Sequence, residues 1–440
     1  MDAVSEKKLR QDILDKVRRY YELEHAQLPE FQPGISKVNY AGRVFDAEEM
    51  CMLSEAMLDF WLSAGPYTQR FEQQLADFMG LEHALLVNSG SSANLLAFMT
   101  LTSPLLGERR IKRGDEVITV AAAFPTTVAP ILQYGALPVF IDVETDSANV
   151  DVHLLKQAVS PKSKAVMLAH TLGNPFNVRA VKQFCDKHGL WLIEDNCDAL
   201  GAKYAGQLTG TWGDLGTSSF YPSHHITMGE GGALYTSNPM LKKIALSLRD
   251  WGRDCCCASG QDNACGRRFK GQFGSLPFGY DHKYVYSHFG YNLHATDMQA
   301  AIGCAQLKKL PAFIAKRQEN YRLLSDLLRD LPGLQICTAG TESEPSWFGF
   351  LMMVQEEAPF KRNELARHLE KNRIQTRNLF AGNLIRQPCF ETLQENKHYR
   401  VASSLTNTDF LMNNALWTGL YPGMSEAELL FMATKVKELY

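Results

Sequence analysis

The chain has no apolar run long enough to span a bilayer. Its first stretch, Met1–Tyr21, is charged (Glu6, Lys7, Lys8, Arg10, Asp12) and has no apolar core of signal-peptide length. Charge of one sign is also missing: 45 basic against 48 acidic residues leave a net charge of −3, so there is no electrostatic case for nucleic acid or an anionic membrane. Internal repeats and low-complexity tracts are absent, which argues against solenoids and disordered linkers. These absences predict a soluble, cytoplasmic globular protein without nucleic-acid or membrane partners. At 440 residues it is long enough for one large domain and a smaller one.

Cysteine, by contrast, is plentiful. Ten are present, and in a reducing compartment a disulfide network is not expected, so clustered cysteines point to metal or redox use. Cys255, Cys256 and Cys257 are contiguous and Cys265 follows closely, whereas Cys51, Cys185, Cys304, Cys337 and Cys389 are scattered and mostly read as buried thiols.

Between about residues 70 and 310, short apolar runs alternate with helical patterns. Candidate strands are Ala84–Val87, Val117–Val120, Pro138–Val143, Ala165–Ala169, Leu190–Ile193, Gly216–Phe220 and Ala233–Thr236. Several are apolar at consecutive positions, as in strands covered on both faces of a mostly parallel sheet. Asp151–Ala158 and Asn177–His188 carry helical spacing. The expected fold is α/β: a mostly parallel seven-stranded sheet flanked by helices, plus a smaller C-terminal α+β domain. The expected division is an N-terminal helical segment (1–65), a large domain (66–310) and a small domain (311–440). Residues 251–288, rich in Gly, Cys, Asp and aromatics, read as a long inserted loop, a kind that is usually functional. A charged amphipathic helix, Leu307–Leu331, leads into the small domain, with Pro332-Gly333 as the break signal.

Four segments would converge at the carboxyl ends of such strands. Asn88-Ser89-Gly90-Ser91-Ser92-Ala93-Asn94 follows a strand and opens a helix, a setting in which backbone N–H groups can approach a phosphate. Phe124 follows the second strand and suits either stacking on a flat ring or core packing. Leu192-Ile193-Glu194-Asp195-Asn196 ends an apolar strand in acids; Asp195 could pair with a protonated pyridine nitrogen or cap a helix. The fourth is Ser219-Phe220-Tyr221-Pro222-Ser223-His224-His225-Ile226-Thr227-Met228-Gly229-Glu230-Gly231-Gly232.

That fourth run resembles the cofactor-lysine segment of the sugar aminotransferases, pyridoxal-phosphate enzymes acting on nucleotide-linked keto-sugars. Their pattern is Ser-Phe, three residues, the Schiff-base lysine, a short polar stretch, then Gly-Glu-Gly-Gly. The resemblance covers most of the chain and implies an aspartate-aminotransferase-type fold. It further implies Ser91, Ser92 and Ser219 as phosphate ligands, Phe124 as the stacking residue and Asp195 as the pyridinium partner. Asp198 stands near the cofactor where the family has Gln or His. Asn292, in Gly290-Tyr291-Asn292-Leu293, would be donated across a homodimer interface. The lysine position is His224. An imidazole has no primary amine, yet it moves protons near neutral pH, so a changed reaction is expected. His225 competes for the role, and the count from Ser219-Phe220 favours His224.

Cys197 lies on the same loop as Asp195. With Cys255, Cys257 and Cys265 it makes a set of thiolates suited to zinc or to an iron–sulfur cluster. The intervals (57, one and seven residues) are those of the CDP-6-deoxy-4-keto-glucose 3-dehydrases, which the lysine-lacking chain resembles. That resemblance implies pyridoxamine 5′-phosphate, a [2Fe–2S] cluster, a CDP-linked 4-keto-6-deoxy sugar and an NADH-dependent iron–sulfur flavoprotein reductase. His224 would act as the base, with Tyr221 and Asp198 close enough in sequence to tune proton or radical steps. Trp347–Phe350 and Arg377–Asn383 read as substrate-side segments. Two rival readings are a dehydrase without external electrons whose cysteines bind structural zinc, and a silent ligand-sensing protein on the same fold.

Overall fold

A computed structural model describes residues 3–27, 29–258 and 260–440. Met1, Asp2 and Leu28 of the expected N-terminal segment, and Ser259 in the insertion, lie outside the described residues.

All seven apolar runs form strands, within two residues of the expected ends: β1 His83–Val87, β2 Glu116–Val120, β3 Leu137–Ile141, β4 Ser163–Ala169, β5 Trp191–Asp195, β6 Leu215–Ser219 and β7 Gly232–Thr236. β2, β5, β6 and β7 are buried at every position, which explains their near-absence of alternation. The sheet runs β1-β7-β6-β5-β4-β2-β3. β7 is antiparallel to both neighbours and the other pairs are parallel. An eighth strand of two residues, Arg400–Val401, adds to β3 from the C-terminal part of the chain. Two residues cannot show a period, so this edge was not visible in the sequence. Chain order reverses between β2 and β4, the kind of switch point beside which α/β sheets bind ligands.

Helices Gly90–Thr100, Pro125–Tyr134 and Val178–His188 fill the connections after β1, β2 and β4. Asn177 caps the last of these by accepting from the Ala180 N–H. Asp151–Ala158 is shorter than expected: a 3-10 turn, Val152–Leu154, then one α-turn, Leu155–Ala158. The helix expected at Leu307 starts earlier. It runs Asp297–Leu328, capped by Thr296 and Gln299, and continues through Pro311. The boundary expected after residue 310 therefore falls inside one helix.

Beyond it, an antiparallel sheet has the order Leu334–Ile336, Gly349–Val354, Ala415–Gly419, Thr376–Arg377 and is accompanied by helices Arg362–Lys371 and Glu426–Lys437. One apolar cluster joins this part to the large sheet, with Ile118, Phe140 and Phe176 in the same network as Phe348, Phe350 and Trp417.

The insertion is closed at its base. Trp251 N–H donates to the Tyr291 carbonyl at 2.7 Å, and Ser287 and His288 donate to the Gly252 carbonyl at 2.9 and 3.2 Å. Gly252 has φ of +88°, and a Cβ there would meet the His288 carbonyl oxygen at 1.9 Å, so this pinch requires glycine. Among the described residues, no helix is long and apolar enough to cross a membrane.

Candidate functional site

The carboxyl ends of the central strands open into a cavity of about 430 Å³. The sheet side contributes Asp195, Ser219 and the Ser89–Ser91 turn. The opposite wall is Tyr40, Phe348, Arg377, Phe380 and Trp417.

Asp195 ends β5 and is 4% exposed. Its Oδ2 accepts from Asn94 Nδ2 at 2.7 Å and Thr127 Oγ1 at 2.6 Å, while Oδ1 accepts from the Cys197 N–H at 3.2 Å. Thr217 Oγ1 donates to Asn94 Oδ1 at 2.7 Å, which turns the Asn94 NH₂ toward Asp195. Three donors thus fix the carboxylate where a protonated ring nitrogen would find an acceptor.

Ser89 caps the Gly90–Thr100 helix by accepting from the Ser92 N–H at 3.1 Å. Ser89, Gly90, Ser91 and Ser219 line the cavity, and Ser91 Oγ donates to Thr126 Oγ1 at 3.1 Å. Ser92 does not line it; its hydroxyl accepts from Ser89 Oγ at 3.0 Å. Gly90 is what lets this helix end approach: a Cβ would sit 2.4 Å from Ser219 Cβ and 3.0 Å from Cys197 Sγ. A helix N-terminus ringed by hydroxyls, beside a fixed carboxylate, fits the phosphate and ring of a pyridoxal-type cofactor. Phe124 is 50% exposed at this cavity and meets Phe380 edge-on at 6.4 Å, so it is a lining residue and not core.

His224 lines the cavity, with its ring 5.1 Å from Phe348 and its Nδ1 3.4 Å from Asp198 Oδ1. Burial, reinforced by the charge of Arg317 and opposed by that of Asp195, pushes the imidazole down to about 4. Burial and the neighbouring Asp195 charge push Asp198 up to about 8. His225 points elsewhere: it is buried, its Nε2–H donates to the Ser346 carbonyl at 2.7 Å, and it is not among the cavity's lining residues.

Cys255 and Cys257 meet side chain to side chain in the insertion. Among the described residues, no three His, Cys, Asp or Glu side chains gather to hold a metal. Cys197 lines the cofactor-sized cavity, while Cys256 and Cys257 face a second cleft of about 700 Å³ with Asn292. Cys255 faces His288, and Cys265 Sγ lies 3.8 Å from His282 Nδ1. Cys197 lies on the Asp195 loop, and the insertion carries its own ion pairs, Arg268–Asp281 at 2.8 Å and Lys283–Asp262. Among the described residues the four expected ligands are not gathered into one metal site. Asn292 is exposed in the second cleft and outside the main cavity.

Sequence reasoning did not single out Asn94 and Thr127, although both lie within or beside the motifs it used. Tyr40 and Trp417 carried no signal, because only the tertiary fold brings them to the wall. Arg377 is the one Lys or Arg among the described lining residues, and its guanidinium lies 3.9 Å over the Tyr40 ring.

Residues 44–437 match the DegT/DnrJ/EryC1/StrS aminotransferase family. The chain is 52% identical over 439 residues to the lipopolysaccharide biosynthesis protein RfbH of Salmonella typhimurium, covering 98% of both. It is 48% identical over 426 residues to the dTDP-4-dehydro-2,6-dideoxy-D-glucose 3-dehydratase of Saccharopolyspora spinosa, covering 97% of this chain and 91% of that one. Among solved structures it is similar to a GDP-4-keto-6-deoxymannose-3-dehydratase with a trapped PLP-glutamate geminal diamine. There the TM-score is 0.80 and the identity 29%, covering 90% of this chain and 99% of the other.

Proposed function

The chain belongs to the DegT/DnrJ/EryC1/StrS aminotransferase family, and from that premise we propose that it is a nucleotide-sugar 3-dehydratase using pyridoxamine 5′-phosphate. Its proposed substrate is CDP-4-dehydro-6-deoxy-D-glucose, on the way to the 3,6-dideoxyhexoses of lipopolysaccharide O-antigens. The observation that carries this reading is His224 at the cavity wall, with no lysine among the described lining residues.

When bound, pyridoxamine phosphate supplies the amine that joins the sugar's keto carbon and a ring that accepts negative charge. Asp195 holds the proton on the ring nitrogen. Ser89, Ser91, Ser219 and the N–H groups of the helix end hold the phosphate. Phe124 covers the ring. His224, neutral in the resting site, takes the proton from the carbon bearing the amine, and as imidazolium gives one to the departing C3 hydroxyl, help worth roughly 10²–10⁴-fold. Asp198 shares the proton inventory of this histidine. Arg377 meets the diphosphate, and Tyr40, Phe348 and Trp417 give flat apolar surface to the sugar and base. In a homodimer, Asn292 of one protomer would serve the cavity of the other.

Removal of the C3 hydroxyl with retention of the keto group consumes two electrons. The intervals of Cys197, Cys255, Cys257 and Cys265 support a [2Fe–2S] cluster fed by an NADH-dependent iron–sulfur flavoprotein reductase. Among the described residues these side chains are not gathered into one metal site, and no step above depends on the cluster. A second reading is a dehydratase whose reducing equivalents come with an amine donor, as glutamate would supply them. It is favoured by the glutamate adduct in the similar solved structure.

The deciding experiment gives anaerobically purified, pyridoxamine-phosphate-loaded protein the CDP-, dTDP- and GDP-linked 4-keto-6-deoxy sugars. Each is run with a one-electron reductant, with glutamate, or with neither, and products are read by mass spectrometry. A 3-deoxy product from the CDP sugar is the expected result. Retention of the C3 oxygen under every condition would overturn the proposal.

A further inference from the structure

Arg317 is the largest fully buried side chain, at 1% exposure, and among the described residues it forms no ion pair within 4.0 Å. Its Nη1 donates to the carbonyls of Trp347 at 3.0 Å and Phe348 at 3.2 Å, and Nη2 donates to the His224 carbonyl at 3.4 Å. Nε has no acceptor. Burying a guanidinium against carbonyls alone is a costly way to stabilise a fold.

Its neighbours on the Asp297–Leu328 helix show what this face does. Ile314, three residues before, packs so closely on Gly201 that a Cβ there would meet Ile314 Cδ1 at 2.2 Å. Tyr321, four residues after, stacks on Trp347 at 3.8 Å with rings 5° from parallel. At this spacing all three lie on one helix face. That face therefore backs the loop carrying Asp198, the carbonyl of His224 and the segment leading to Phe348. His225 adds a second tie from the same turn through the Ser346 carbonyl.

We propose that Arg317 is a positioning residue for His224, its guanidinium braced by the Trp347 and Phe348 carbonyls and holding the His224 backbone so that the imidazole stays against Asp198 in the cavity. The charged and titratable groups around that imidazole are Arg317 from the long helix, Asp195, Cys197 and Asp198 from the β5 loop, and His225 from its own turn. The brace itself is geometric: three carbonyls from two segments, those of Trp347, Phe348 and His224, meet one guanidinium. This inference rests on the reading of His224 as the proton-moving residue.

The test combines NMR at fixed pH and turnover. In cofactor-free protein carrying ¹³C-labelled histidine, the His224 ring signal is assigned by its loss in His224→Asn, and its nuclear Overhauser contacts with the Phe348 ring, 5.1 Å away, report its placement. Arg317→Gln should lose these contacts. With substrate, kcat should fall by about 10²-fold, as expected for a reacting group displaced by about 1 Å, while KM and cofactor affinity stay near wild type. Arg317→Lys should keep part of the contacts and part of kcat. Unchanged contacts in Arg317→Gln, or a kcat loss matched by equal losses in cofactor affinity and thermal stability, would overturn the assignment. Should Arg317→Gln not fold, Arg317→Lys decides: weakened contacts with lowered kcat support the role, and unchanged kcat removes it. If wild-type protein forms no 3-deoxy product, the proposed function fails, and the NMR contacts still decide the positioning.

Discussion

His224 Nδ1 lies 3.4 Å from Asp198 Oδ1, with 14% of each side chain exposed. The contact has the geometry of an ion pair, yet burial drives the two groups in opposite directions, His224 down to about 4 and Asp198 up to about 8. Burial thus favours the neutral forms, an imidazole facing a carboxylic acid.

The pair sets a pH dependence of stability in the cofactor-free protein. The folded pKa of His224 is below its ordinary value of 6.5, so its contribution is present above that value and lost as pH falls toward about 4. That of Asp198 is raised from 3.8, so its contribution is full at low pH and gone once pH passes about 8. Asp198→Asn should therefore gain on the wild type steadily from pH 4 to 8. Urea unfolding at pH 4, 6 and 8 measures this, and a difference independent of pH would contradict it.

Position 224 also decides whether the protein can hold an aldehyde cofactor covalently. His224→Lys should attach pyridoxal phosphate, leaving a borohydride-stable mass increase on the peptide containing residue 224. His224→Asn should bind the cofactor but lose turnover by roughly 10²–10⁴-fold. A lysine variant that remains unmodified would mean that this position does not face the cofactor.

Gly90 and Ser92 should separate close approach from hydroxyl count. In Gly90→Ala the new Cβ would meet Ser219 Cβ at 2.4 Å, so the helix end must retreat. The expected cost is about 1–3 kcal/mol of stability, with weaker cofactor binding. Ser92→Ala should barely alter cofactor affinity, because its hydroxyl is turned to Ser89. Equal loss of affinity in the two variants would refute the placement of the phosphate cradle.

The cysteines call for a metal analysis before any kinetics. Anaerobically purified protein should contain iron and acid-labile sulfide with a visible absorption band that bleaches on reduction. Cys255→Ser should lose both while binding pyridoxal phosphate unchanged. Iron-free wild-type protein that turns over with glutamate would leave the second reading in place.

The sequence alone determined the seven strands of the large sheet, because a strand buried on both faces is a local apolar run. It also placed Asp195 at a strand end and His224 at the fourth residue beyond Phe220, since both follow from counting along the chain. Tertiary structure decided the rest. It turned Ser92 away and Ser89 inward, set His224 and not His225 on the cavity, and added Arg400–Val401 as an eighth strand. It started the long helix at Asp297 and put Arg317 beneath the turn carrying His224. Among the described residues it gathers no three metal-ligating side chains, although the cysteine intervals suggested one cluster. Spacing records which residues are neighbours along a strand or helix. Which face a side chain takes, and what meets it from a hundred residues away, depends on packing between elements that no local pattern encodes.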